Sequence, residues 1–323
     1  MKLFISSYNF ENCDNLDNSA LPYRIPCIHF KENGWTTTTI NELPILTINN
    51  IKSMFGEVPT VILIWLCGPY IERNCHFMRR SKKNNFGIKF CWYIDDLHCR
   101  TNMRNNVFKY VDIVLNSYMY CFHMFYNVSL KKYWFPHYIN EKLLKNITFN
   151  SNPEIKILLS GQIKENIYPA RYKALVLSKK NDNITVLSHP GYKDREKHSS
   201  CGSAYYDVIN NNLAAFTCCA SEKRPYIVSK FFEIISCGTL LIAYDEHVKE
   251  PLNQLGFIEN ENYISCSLEN MENVFEYVLD PNNRKEIDRI RSNGFEFSKK
   301  SFLCNRVKDF CEYIDEEKYL VVR

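Results

Sequence analysis

The chain lacks the features that mark zinc-binding, secreted and membrane-spanning proteins. It has 14 cysteines among 323 residues, but no Cys-x-x-Cys pair and no cysteine–histidine group with the spacing of zinc ligands. The longest apolar run, Val58 to Gly68, is far shorter than the roughly 20 residues that cross a bilayer, and the amino-terminal residues do not form the apolar region of a signal peptide. We therefore expect no transmembrane segment and a reducing, cytoplasmic location, where the cysteines pack as small apolar side chains.

A strong excess of charge is also missing. The net charge is only +4, so we expect no nucleic-acid partner. One basic cluster, Arg79-Arg80-Ser81-Lys82-Lys83, is expected to be a solvated surface. The length of 323 residues and the hydrophobic content of 46% are enough for two domains, each with its own core.

Short apolar runs occur in two series along the chain. Most are apolar throughout and alternate with stretches of helical periodicity, which is typical of parallel strands covered by helices on both faces. The fold class predicted is α/β, with two Rossmann-like doubly wound domains that face a cleft. The predicted strands of the first series are Lys2–Ser6, Val58–Cys67, Ile88–Asp95, Val111–Asn116 and Tyr133–Pro136, and those of the second are Ile155–Ser160, Ile184–Ser188, Leu213–Cys218, Thr239–Tyr244 and Tyr263–Ser265.

A polar stretch that ends in proline, Asn146–Pro153, separates the two series and has the composition of a linker. We therefore predict a first domain over residues 1–150 and a second over residues 151–300. Residues 301–323 are expected to form a helix that packs back across the boundary, because an apolar stripe runs along them: Cys304, Val307, Phe310, Cys311 and Ile314.

The loops that follow the strands of the second series are the expected ligand-binding segments, since ligands bind beyond the carboxyl ends of parallel strands. After Ile155–Ser160, Gly161 permits a tight turn, and Lys164 and Arg171 flank a helix start. This combination suits a diphosphate, or it is an ordinary turn with solvated charges. His189 and Tyr192 flank a Pro-Gly turn, which is either a slot for a planar base or a plain type II turn.

In the first series, the strand Ile88–Asp95 ends in two carboxylates and an imidazole, those of Asp95, Asp96 and His98. Three interpretations are open: the group binds a divalent metal, it supplies an acid or base, or an aspartate caps the next helix. We expect Asp96 and His98 to act in catalysis and expect no metal.

The segment from Lys230 to Ile242 is the most informative of the chain. It reads Lys230-Phe231-Phe232-Glu233-Ile234-Ile235-Ser236-Cys237-Gly238, followed by an apolar strand. This pattern resembles the glycosyltransferase group 1-like domain of CgeB-type proteins, which have the two-Rossmann GT-B architecture. Three further segments are similar to that family: Trp92–His98, Ser188–Tyr192 and Tyr206–Asn212.

The resemblance implies a glycosyltransferase that moves a sugar from a nucleotide-diphosphate sugar to a glycan, protein or small-molecule acceptor, with no cofactor or metal. It implies that Glu233 holds the ribose hydroxyls and that Lys230 lies near the diphosphate. Many retaining relatives carry a second glutamate eight residues upstream, where this chain has Pro225. The stereochemical outcome therefore stays open. The alternatives are a non-catalytic nucleotide- or glycan-binding protein and a nucleotide-sugar epimerase.

Overall fold

The computed structural model describes residues 1–6, 26–94, 96–189 and 203–321, and the side chains up to residue 316. The described chain divides into two compact units. The first unit comprises the residues up to Pro136 together with those from Arg306 onward, and the second runs from His137 to Asn305.

The first unit contains a parallel sheet of six strands in the described residues, with the order β2-β1-β3-β4-β5-β6. The strands are β1 (Lys2–Ser6), β2 (Thr36–Thr39), β3 (Val61–Trp65), β4 (Lys89–Ile94), β5 (Ile113–Asn116) and β6 (Lys131–Trp134). The helices between them are α1 (Pro26–Glu32), α2 (Ile48–Phe55), α3 (Gly68–Arg73), α4 (Cys75–Lys83) and α5 (Thr101–Phe108).

The second unit contains a parallel sheet of five strands in the described residues, with the order β11-β10-β9-β7-β8. The strands are β7 (Glu154–Leu159), β8 (Ile184–Val186), β9 (Asn212–Cys218), β10 (Leu240–Tyr244) and β11 (Ile264–Cys266). The helices are α6 (Pro169–Ser178), α7 (Ser203–Asn210), α8 (Lys230–Ser236), α9 (Lys249–Gln254), α10 (Met271–Leu279) and α11 (Arg284–Ser298), and α12 (Leu303–Val321) continues into the first unit.

The central strands of both sheets are buried along their whole length, as continuous apolar runs predict. Every residue of β3, β9 and β10 is buried. In each sheet the second strand along the chain, β2 or β8, pairs with one side of the first strand, and the later strands are added on its other side. The strand order therefore reverses between β1 and β3 in the first unit and between β7 and β9 in the second, and such a reversal is where open α/β sheets bind their ligands.

The carboxyl-terminal helix α12 packs on the first unit, as expected. Phe310 is fully buried, and its ring centroid lies 6.1 Å from that of Phe30, 6.2 Å from that of Trp35 and 5.0 Å from that of Tyr133. Lys2 Nζ also donates a hydrogen bond of 2.6 Å to Asp315 Oδ2. In the described residues no helix is both long enough and apolar enough to span a membrane.

The change from the first to the second unit falls at Pro136–His137, upstream of the expected linker at Asn146–Pro153. Residues 137–150 belong with the second unit because their backbone is bonded to it. Leu303 N–H donates to the Ile139 carbonyl at 2.9 Å, and Arg291 Nη2 donates to the Asn150 carbonyl at 2.9 Å.

Candidate functional site

The carboxyl ends of β7 and β9 in the second unit bring several predicted residues together. Gly161 is the second residue after β7 and has φ of +91°, a backbone conformation that L side chains rarely adopt. A Cβ atom at this position would lie 2.7 Å from Lys230 Cε and 3.2 Å from Arg171 Nη1. Two cationic side chains from different helices therefore converge on the backbone of one glycine.

Arg171 is a buried cation in the first turn of α6. Its side chain donates a hydrogen bond of 2.8 Å from Nη1 to the Gln162 carbonyl, and its guanidinium lies 4.3 Å from the centroid of the Tyr168 ring. Within the described chain it has no ion-pair partner, and its buried Nε has no hydrogen-bond acceptor. Because a buried charge is costly without a counter-charge, this environment fits an anionic ligand.

Lys230 begins α8 and belongs to a network of polar side chains. Its Nζ donates to Tyr205 Oη at 2.6 Å, and Tyr205 Oη lies 3.0 Å from Ser160 Oγ. Since an ammonium group only donates, the Tyr205 hydroxyl accepts from Lys230 and can donate its own proton to Ser160. The network ties the helix start to the residue that follows β7.

Electrostatics keep this lysine charged. Burial lowers the pKa of Lys230, but Tyr205 and Glu233 raise it, and the net result is a pKa above the ordinary value. Burial raises the pKa of Tyr205, which the charge of Lys230 opposes. The ammonium group is therefore a permanent cation near neutral pH.

Glu233 lies one turn after Lys230, with Oε2 at 3.6 Å from Lys230 Nζ. Its side chain is only 14% exposed, and the buried Oε2 has no hydrogen-bond partner in the described part of the chain. Burial, followed by the charge of Glu233, raises the pKa of Tyr206 well above its usual value, so that phenol stays neutral beside the carboxylate. A carboxylate oxygen held in this way can accept a hydrogen bond from a ligand hydroxyl.

The other predicted residues of the second unit are not part of the contacts described above. Lys164 is exposed in the loop between β7 and α6. His189 is half-buried beyond β8, and Tyr192 lies outside the described residues. Their roles therefore stay predictions.

Asp96 and His98 follow β4 in the first unit, and Asp95 lies outside the described residues. Asp96, His98 and the neighbouring Cys99 hold their potential ligand atoms within 4.8 Å of one another. The Asp96 carbonyl accepts a hydrogen bond of 2.7 Å from Arg104 Nη1, which holds this loop against α5. The cluster is compatible both with acid–base chemistry and with a metal, and the sequence-based preference for the former stays a prediction.

Tyr205 and Ser160 are site residues that sequence reasoning did not select. The sequence signal for Tyr205 was its position at the start of the helix before β9, next to Tyr206. A single tyrosine in an amphipathic helix does not by itself indicate contact with a lysine 25 residues later.

No family model and no curated protein matches the chain by sequence. Solved structures match it along nearly its full length. A sucrose-phosphate synthase from Thermosynechococcus elongatus is 10% identical, with 99% of this chain and 100% of that chain covered and a TM-score of 0.61. A glycosyltransferase from Rickettsia africae is 11% identical, with 98% of each chain covered and a TM-score of 0.58.

HepE from Anabaena, solved in complex with UDP and glucose, is 9% identical, with 98% of this chain and 99% of that chain covered and a TM-score of 0.57. These are structures of the GT-B type, and the likeness shows that this chain has the GT-B fold. The predicted fold class, with two parallel-sheet domains, is thereby confirmed. The closer resemblance to CgeB-type proteins stays a prediction.

Proposed function

We propose that the protein is a glycosyltransferase whose second unit binds the nucleoside diphosphate of a sugar donor. The observation that carries this proposal is Arg171, a buried guanidinium without a carboxylate partner in the described chain, next to Gly161 and Lys230 where the strand order reverses. Support also comes from the GT-B fold, which the chain shares with a glycosyltransferase and with a protein solved with UDP and glucose.

In this proposal the cations stabilise the leaving group. Negative charge builds on the diphosphate as its bond to the sugar breaks, and Arg171 and Lys230, with Lys164 entering from the exposed loop, offset that charge. Charge stabilisation by side chains makes a metal unnecessary at the diphosphate. Loss of one such donor costs about 3 kcal/mol of transition-state stabilisation, or on the order of a hundredfold in rate.

The remaining residues orient the two substrates. Glu233 accepts hydrogen bonds from the ribose hydroxyls through its buried oxygen, and His189 and Tyr192 border the base. On the acceptor side, Asp96 or His98 removes the proton of the attacking hydroxyl if the configuration of the sugar inverts, and orients the sugar if it is retained. The acceptor is a glycan, a protein or a small molecule.

The first experiment is a screen of nucleotide sugars for thermal stabilisation of the full chain. A ligand at 100 times its dissociation constant adds about 2.7 kcal/mol to stability. Sugar transfer and slow hydrolysis of the donor are then measured with the nucleotide sugar that stabilises the protein, both without and with EDTA. Turnover that disappears with the chelator contradicts the metal-free proposal, and stabilisation without any turnover indicates a binding protein. A new sugar nucleotide formed without acceptor indicates an epimerase.

Glu233→Ala tests the site within the same assay. We expect loss of transfer with an unchanged circular dichroism spectrum, because the carboxylate is proposed to hold the donor. Glu272→Ala removes an exposed carboxylate from the first turn of α10 and is the matched control, with activity expected to stay at the wild-type level. Full activity of Glu233→Ala contradicts the assignment of the site.

A further inference from the structure

Helix α4 of the first unit presents a row of positive charge to solvent. Phe77, Met78 and Ser81 are buried, whereas His76, Arg79, Arg80 and Lys83 are exposed. The exposed positions are spaced by three and four residues, so they share one face of the helix. Arg73, at the end of α3, is exposed three residues before His76. We call Arg73, Arg79, Arg80 and Lys83 the basic stripe.

The charges of the basic stripe are not compensated. Helix α4 contains no acidic residue, and within the described chain none of the four cations of the stripe has an ion-pair partner. Lys82, on the flank of the helix, is different, because its Nζ lies 2.9 Å from Asp112 Oδ1. Unpaired cations on one face repel one another and favour an anionic partner.

Two exposed apolar side chains belong to other elements of the same unit, Ile45 to the loop before α2 and Met54 to α2. Ile45 is 44% exposed and Met54 is 43% exposed. The loop that contains Ile45 is fixed to the start of α4, because Leu46 N–H donates a hydrogen bond of 2.7 Å to Asn74 Oδ1. Pro44, the residue before Ile45, lines one open pocket together with Arg73 and a second together with Met54.

We propose that the basic stripe, with Ile45 and Met54, docks this protein reversibly on the surface of an anionic lipid bilayer. Cations close to an anionic membrane each contribute about fivefold in affinity. The two apolar side chains fit the boundary between headgroups and acyl chains. A nucleic acid fits this face less well, since the aromatic ring of α4, Phe77, is buried and cannot stack on bases.

The test is co-sedimentation of the full chain with vesicles of phosphatidylcholine alone or with about 30 mol% phosphatidylserine. We expect binding to the anionic vesicles only, and weaker binding when the salt is raised from about 0.01 M to about 0.15 M, because the Debye length falls from about 30 Å to about 8 Å. Equal binding to neutral vesicles overturns the proposal.

The variant Arg79→Gln/Arg80→Gln/Lys83→Gln removes three charges while keeping good helix formers on the exposed face. We expect affinity for the anionic vesicles to fall roughly a hundredfold, as three factors of about five predict. The matched control is Lys179→Gln/Lys180→Gln/Lys285→Gln, which removes three exposed cations from the second unit and leaves affinity within about twofold. An equal loss in the control overturns the proposal, because net charge alone would then explain binding.

Ile45→Ser/Met54→Ser tests the apolar part. We expect this variant to lose the binding that persists at about 0.15 M salt, since the apolar contribution is not screened. Unchanged binding in this variant, or tighter binding of the chain to a single-stranded oligonucleotide than to the anionic vesicles, contradicts the proposal. The surface uses none of the residues proposed for the donor site, so the result is independent of sugar transfer.

Discussion

Arg171 and Arg291 are both buried arginines of the second unit, 3% and 1% exposed, but their surroundings differ. Arg291 Nη1 lies 2.5 Å from Asp288 Oδ1, and its Nε donates to the Gly238 carbonyl at 3.1 Å. Arg171 donates a hydrogen bond to a carbonyl, lies over an aromatic ring and contacts the thiol of Cys218, but it has no carboxylate partner in the described chain. One arginine therefore holds the structure together, whereas the other is available to a ligand.

The first prediction compares the two. Arg171→Gln is expected to change the free energy of unfolding by no more than about 2 kcal/mol, because it also removes an unpaired buried charge. Its affinity for the nucleoside diphosphate should fall roughly a hundredfold. Arg291→Gln removes a fully buried guanidinium together with its bonds to Asp288 and to the Gly238 carbonyl, although Asp288 keeps its pair with Arg284. This variant should lower stability by about 3 kcal/mol, with near-normal affinity. Urea unfolding measures the stability of each variant, and titration calorimetry measures its affinity for a nucleoside diphosphate. A larger loss of stability in Arg171→Gln together with a larger loss of affinity in Arg291→Gln would refute the role of Arg171 in ligand binding.

Gly161→Ala is the second prediction. The added methyl group meets Lys230 Cε at 2.7 Å, and the φ of +91° strains any residue with a Cβ. Gly34→Ala is a matched control, because its φ is +78° and no atom lies within 4 Å of the added group. Both variants should lose about 1–2 kcal/mol of stability. Only Gly161→Ala should lose affinity for the nucleotide. If Gly161→Ala and Gly34→Ala bind the nucleotide equally well, the close approach of Lys230 to Gly161 does not contribute to binding.

The third prediction concerns pH. The pKa of Lys230 is raised in the folded protein. The charged form therefore stabilises the fold fully at any pH below the unfolded pKa of about 10.4. This stabilisation is lost only when the pH rises through the folded pKa, which is higher still. Nucleoside diphosphate affinity should therefore be constant from about pH 7.5 to about pH 9.5, above the phosphate pKa of about 6. Calorimetry across this range checks it. A decline that begins near pH 8 would show a neutralised lysine.

At the scale of the elements, strands were easier to predict than the contacts between side chains. Ten predicted strands are present, because runs such as Val61–Trp65 and Leu240–Tyr244 are apolar throughout and are buried on both faces. Strand β2 was missed because Thr36–Thr39 consists of four threonines and has no apolar signal. Its backbone bonds to β1, a contact that no local pattern reveals.

The site shows the same limit. The order of strands and loops pointed to Gly161 and Arg171, and the resemblance to CgeB-type proteins pointed to Lys230 and Glu233. The hydrogen bond from Lys230 to Tyr205 joins α8 to α7, and the burial of Arg171 depends on how α6 packs. Such contacts depend on tertiary packing and are therefore not encoded in the spacing of residues along the chain.

Helix α12 gives the fourth prediction. Phe310→Ala removes a fully buried ring from a cluster with Phe30, Trp35 and Tyr133, and should lower the stability of the first unit by about 3–5 kcal/mol. Lys308→Ala changes an exposed residue of the same helix and should cost less than about 0.5 kcal/mol. Urea unfolding followed by tryptophan fluorescence reports on Trp35 and Trp65 of the first unit. Similar urea midpoints of unfolding for the two variants would mean that α12 does not complete the hydrophobic core of the first unit.

On the scale of the whole molecule, the chain leaves the first unit once and comes back to it. Among the described residues, the second unit occupies a single segment, 137–305, whereas the first contains residues from both sides of that segment. Sequence patterns showed the two series of strands and the returning helix. The change of unit at Pro136 was harder to locate, because the polar stretch Asn146–Pro153 has the composition of a linker, whereas residues 137–150 bond to the second unit.

This arrangement has a consequence for synthesis on the ribosome. The amino-terminal sheet emerges first, yet its hydrophobic face stays uncovered until Phe310, Cys311 and Ile314 have been translated. The second unit can reach its native state as soon as it leaves the exit tunnel, since its described residues all lie upstream of Arg306. The half made first is therefore the half finished last, and its apolar surface waits for Phe310 while about 170 codons are translated, which takes roughly ten to thirty seconds.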